Sequence, residues 1–251
     1  MKSNTELKNS ALAALKGNWA KAILATVIVF AVYLVAAGPC SIQTVKVQSF
    51  MREQMGYARN ASVTEMLNLS QAMANNPEVV AMQTKANGYS GLMYLLIFLV
   101  INPLLVGFAN AFLQLVRSGD DRLAENTVHI GFEKYWHKVW GMLLRQIFVW
   151  LWTLLLIIPG IIKQFSYAMT PFILQENPEL SADQAIDRSR AMMKGHKFDL
   201  FWLYLSFIGW FILCCFTFGI GFLWLVPYVQ ASVAAFYEDV KAEYERVGGL
   251  I

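Results

Sequence analysis

WGMLLRQIFVWLWTLLLIIPGIIKQFSYAMTPFIL, residues 140–174, is the stretch that decides how the rest of the chain is read. It is almost wholly apolar, Pro159-Gly160 breaks it in the middle, and Arg145 and Lys163 are the two charges inside it. A soluble domain has little use for such a run. A bilayer accepts it as two crossings, because a span needs about 20 apolar residues and proline with glycine favours a bend.

The surroundings agree with a membrane setting. Of 251 residues 57% are hydrophobic and only 15% charged, against about 25% charged in an ordinary globular domain. Further apolar runs lie at about 20–38, 91–116, 198–216 and 219–236. With 140–158 and 161–174 they predict an all-α polytopic membrane helix bundle of about six transmembrane helices. Pro39 is expected to end the first run, and Asn102-Pro103 to kink the second. The three cysteines, Cys40 and Cys214-Cys215, have no spacing suited to a metal or a disulfide framework.

Amphipathic interfacial helices are expected between the runs. Residues 3–18 place Leu7, Ala11, Leu12 and Leu15 on one face. HIGFEKYWHKVW, 129–140, repeats aromatics at Phe132, Trp136 and Trp140. Ser181 with Gln184 forms a capping-box pattern for a helix closed by Gly195, with Ile186, Ser189 and Met193 along one side. The polar insert 39–90 reads as a helical cap within a single membrane domain, 1–251. Ser62 with Glu65 starts one helix there, Asn75-Asn76-Pro77 stops it, and Val79–Lys85 forms another before Asn87-Gly88.

Lysine and arginine mark the cytoplasmic side. If 140–174 crosses twice, fifteen of the twenty such residues fall on one side, and Lys46, Arg52, Arg59, Lys85 and Lys163 on the other. That predicts both termini in the cytoplasm. Lys16-Gly17-Asn18 before the first run matches Lys194-Gly195-His196 before the fifth, which suggests three repeated two-span hairpins, 1–116, 128–175 and 181–237.

IIPGIIKQFSYAM (157–169), AIDRSRAMMKGHK (185–197) and LSFIGW (205–210) resemble an uncharacterised family of bacterial integral membrane proteins, defined only as a domain of unknown function. That family is distantly similar in pattern to the membrane domain of some glycerophosphoryl diester phosphodiesterases. The resemblance implies a six-helix bundle in the cytoplasmic (inner) membrane and brings no activity. None of the phosphodiesterase catalytic domain is present.

No phosphate loop, dinucleotide fingerprint or zinc-protease motif occurs. His129, Glu133 and His137 would share a face of one continuous helix and are a weak metal candidate, set against their being its wet face. No cofactor is called for. Arg145 and Lys163 read as snorkelling charges, or Lys163 joins Ser166, Tyr167, Asn102, Asn110 and Gln230 in a polar pocket beside the broken helix. Arg188, Lys194, His196 and Lys197 are candidates for holding anionic lipid headgroups. The expected function is non-catalytic, in envelope organisation or partner binding with lipid contacts. A small permease for an amphiphile is the alternative, and a lipid enzyme comes third. Expected partners are membrane lipids, other membrane proteins or further copies of the chain, and no nucleic acid.

Overall fold

The computed structural model describes residues 2–57 and 62–248, so Arg59 and the side chain of Cys40 lie outside the described residues. Among them all regular structure is helical. Two compact units separate, Met1–Phe30 with Val100–Ile251, and Ala31–Leu99. The second encloses the polar insert. Helix α2, Trp19–Tyr57, runs unbroken through Pro39, so the expected stop there is wrong. A proline costs a helix one hydrogen bond and favours a kink, but it need not end a helix of this length. Helix α3, Val63–Ala74, begins behind the Ser62–Glu65 pair, whose carboxylate accepts from the Ser62 amide at 2.7 Å. The Asn76 side chain caps α4, Pro77–Leu96. That helix continues through Asn87-Gly88 instead of ending at 85, since one interior glycine costs only about 1 kcal/mol.

The first unit holds the core. Helix α1, Asn4–Leu15, opens with a Ser3–Glu6 capping box and buries Leu7, Ala11 and Leu15, while Leu12 stays exposed. The expected kink at Pro103 takes the form of a π-helical turn, Ile97–Ile101, just before α5, Asn102–Ser118. The proline ring would collide with the carbonyl four residues back, and a wider turn relieves it. Helix α5 packs on α6, Leu123–Phe132, through Gly107 and Gly131. A Cβ on Gly107 would lie 2.0 Å from the Thr127 carbonyl oxygen.

Residues 140–174 do form a hairpin. Helix α7, Tyr135–Leu155, turns at Leu156 into α8, Ile157–Ser166. The bend is at the extended Leu156, and Pro159 sits in the first turn of α8, where its missing N–H costs nothing. Gly160 lets the arms touch, because a Cβ there would lie 2.3 Å from the Thr153 hydroxyl. After Tyr167–Met169 come α9, Thr170–Glu176; α10, Ala182–Met192; α11, Lys197–Leu205; α12, Ile208–Phe216; and α13, Phe222–Arg246. Helix α13 packs on α1 and α5.

By length and composition three stretches suit a membrane span: Pro77–Ser118, Ile157–Glu176 and Lys197–Phe216. A fourth appears if α1 and the start of α2, bent by 96°, count as one. Two of the six expected crossings would need α7 and α13, which are not among these stretches: α7 buries only its first two turns and carries Lys138 and Arg145, and α13 ends in a charged segment. A left-handed residue stands before each of three long helical stretches: Gly17 (φ 83°) before α2, Lys134 (φ 46°) before α7 and Gly195 (φ 93°) before α11.

Candidate functional site

Each interruption of a helix frees backbone carbonyls, which are costly to leave bare in an apolar setting. In this chain cationic side chains take them. At the α6–α7 break the buried Lys138 ammonium donates to the Ile130 carbonyl and, at 2.7 Å, to that of Glu133. At the α8–α9 break Arg145 Nε donates to the Tyr167 carbonyl at 3.0 Å, and the Ser189 hydroxyl donates to that of Ser166 at 2.9 Å. Where α11 gives way to α12, Lys8 Nζ donates to the Ser206 carbonyl at 3.0 Å and lies 4.2 Å from the Phe207 ring centre. Arg145 therefore clamps a break and does not snorkel.

Burial pushes the Lys138 ammonium down to about 8; Lys134 adds to this and Glu133 opposes it. The unfolded chain then binds more protons than the folded one between about pH 8 and the ordinary value of 10.5. Stability should rise with pH across that window and level off above it. Lys138→Met should remove this rise: its deficit should be about 2 kcal/mol below about pH 8, because two carbonyls lose their donor, and should widen as the pH climbs through the window. Unfolding midpoints in detergent from pH 7 to 11 check both, and parallel profiles for the two proteins would refute the assignment.

The proposed polar pocket is dispersed. Lys163 lies 4.5 Å from the Trp152 ring centre and 6.0 Å from that of Tyr167. Its charged neighbours are Arg190, Lys197 and Asp187, which does not suit a residue beside an outer bend. Asn110 is buried and its amide donates to the Val106 and Pro171 carbonyls, tying α5 to α9. Asn102 stands half-buried at the start of α5, two helical turns away. Gln230 lines a separate cavity with Phe165, Phe201 and Tyr204. Ser166 and Tyr167 are buried, and their carbonyls are the clamped ones.

The basic cluster also divides. Arg188 donates to Asn177 at 2.9 Å, and His196 lies between Asp199 at 3.3 Å and Glu243 at 3.6 Å. Lys194 is exposed and Lys197 half-buried. The metal candidate fails on its premise. Helix α6 ends at Phe132 and Lys134 is left-handed, so His129, Glu133 and His137 share no continuous helix. Among the described residues no cluster of potential ligands forms.

Two features escaped the sequence. Glu176, at the end of α9, accepts from Tyr237 and Lys241 at 2.6 Å each and pairs with Arg117, which also meets Glu238. These partners lie 59 to 65 residues away, beyond any local pattern. The other is an apolar cavity of about 440 Å³ whose walls include Leu12, Trp19, Trp210, Thr217, Trp224 and Tyr228. Its walls come from α1, the start of α2, α12 and α13, so their convergence depends on the bend between α1 and α2 and on no local pattern.

The chain belongs to the family described as "Protein of unknown function (DUF975)", whose model matches residues 1–163 and 153–244. No curated protein and no solved structure matches the chain.

Proposed function

We propose that this is a non-catalytic protein of the bacterial inner membrane that holds lipid and serves envelope organisation or the binding of other membrane proteins. The cavity walled by Trp19, Trp210 and Trp224 carries the reading. It is long-chain sized and apolar, and it lies beside the bend between α1 and α2. Open pockets lined by large apolar groups favour hydrocarbon over water.

Both termini face the cytoplasm in this proposal. Residues on that side also pair with one another: Lys21 with Asp121, Arg117 with Glu176, and His196 with Glu243, while the Lys2 backbone amide donates to Asp239. The matching turns Lys16–Asn18 and Lys194–His196, each with a left-handed glycine, support the three-unit repeat, and the likeness to the phosphodiesterase membrane domain belongs with it. The exposed tip of the α7–α8 hairpin, Leu154 to Ile158, is 62–73% accessible and suits immersion in lipid.

A permease has one observation in its favour, the broken spans at 167–169 and 206–207, because transporters bind substrates at such breaks. Against it, Arg145, Ser189 and Lys8 already occupy carbonyls freed there.

Native mass spectrometry of the purified protein tests the proposal. Retained phospholipid is expected, and Leu213→Trp, which fills the cavity from an exposed wall position, should lower its occupancy at least about five-fold, the scale expected when a buried chain loses a few methylenes of contact. A lipid-free protein, or solute accumulation in proteoliposomes, would overturn the reading.

A further inference from the structure

Resting on the lipid-holding reading, we propose that the cavity selects an anionic phospholipid, with an acyl chain between the tryptophans and the headgroup phosphate on Lys8 and Lys16. Leu12 lies in the cavity wall and is 41% exposed. Lys8 and Lys16 stand four residues to either side of it on the helix and its cap, and such neighbours share a face. The two lysines therefore flank the side of α1 that meets the cavity.

The Lys8 ammonium is held one ring behind the cavity wall. It lies over the ring of Phe207, whose centre is 5.0 Å from that of Tyr228, itself a wall residue. Its bond to the Ser206 carbonyl uses one of its donors and leaves its charge uncompensated. Lys16 is exposed and makes no ion pair or side-chain hydrogen bond among the described residues. Lys21, the next lysine along the chain, is already paired with Asp121 and takes no part. No carboxylate lines the cavity.

The walls are thus apolar and aromatic, and two cations without a carboxylate partner among the described residues stand next to them. Trp19 can keep its ring in hydrocarbon and its N–H toward the headgroups. A zwitterionic headgroup would bring a second cation to these lysines, whereas a phosphatidylglycerol headgroup brings only negative charge.

The full-length protein, exchanged into bilayer discs of equimolar phosphatidylglycerol and phosphatidylcholine with identical chains, supplies the test when its retained lipid is weighed by native mass spectrometry. Phosphatidylglycerol should be enriched, and Lys16→Gln should cut the enrichment about five-fold, the effect of one lysine near a charged membrane surface. Lys16 bears no contact that the fold uses, so the variant should melt like the parent. Lys8→Arg should keep the enrichment. Equal retention of both lipids, with Leu213→Trp lowering both, would overturn the selectivity and leave the lipid-holding reading standing. Enrichment unchanged in Lys16→Gln would also overturn it. Retention of neither lipid would remove both readings.

Discussion

Gly107→Ala should cost the protein about 3 kcal/mol, the upper end for overpacking a tight contact. The new methyl would lie 2.0 Å from the Thr127 carbonyl oxygen and 2.6 Å from the Gly131 amide nitrogen. Both obstacles are backbone, so no side chain can swing aside, and α5 and α6 must part. Gly131 faces the Pro103 carbonyl in the same way, with 2.9 Å left for a Cβ. Close backbone approach through small residues is how helices associate where lipid removes the hydrophobic drive. Gly88→Ala is the control. It sits in a helix with nothing within 4 Å and should be neutral or slightly stabilising. Thermal unfolding in detergent, followed by circular dichroism or gel filtration, distinguishes the two variants. Equal midpoints for Gly107→Ala and the parent would refute the close crossing.

Glu176→Gln should cost about 2 kcal/mol. Removing one member of a buried ion pair costs about 3–5 kcal/mol, but Arg117 is 42% exposed and solvent screens part of the loss. The carboxylate is 13% exposed and joins three partners: Arg117 on α5, and Tyr237 and Lys241 on α13. A neutral amide leaves Arg117 with Glu238 alone and Lys241 with no anion. Phe172 stacks on Tyr237 at 4.6 Å, so the aromatic packing stays while the polar network fails. Tyr237→Phe should cost less, about 1 kcal/mol, for one hydrogen bond. A double-mutant cycle of Glu176→Gln with Lys241→Met should return a coupling of about 1 kcal/mol. Additive losses would mean that the network holds nothing together.

Part of this architecture could be read directly from the chain. The capping boxes at Ser62 and Ser181 start helices because they satisfy amides within three residues, and local chemistry suffices for that. Gly195 takes a left-handed φ of 93° in the turn between α10, which ends at Met192, and α11. Residues 140–174 formed a hairpin, and Ile186, Ser189 and Met193 are buried along one side as their spacing requires. The errors have one origin. Pro39 and Gly88 are helix breakers by propensity, yet helices continue through both, because a single penalty of about one to three kcal/mol is small beside the propagation of helices of 39 and 20 residues. The turn at Lys134 carries no glycine or proline signal, and it separated His129 from His137.

For this protein the sequence by itself determined composition, helical class and the pattern of apolar runs, since burial periodicity and charge exclusion are written residue by residue. Only the tertiary structure decided what its lone cations do. Lys8, Lys138 and Arg145 each answer carbonyls freed at a helix break, and for Arg145 and Lys8 the acceptors lie 22 and 198 residues away. A charge in an apolar run announces an energetic cost; where that cost is met depends on which backbone the fold leaves open beside it.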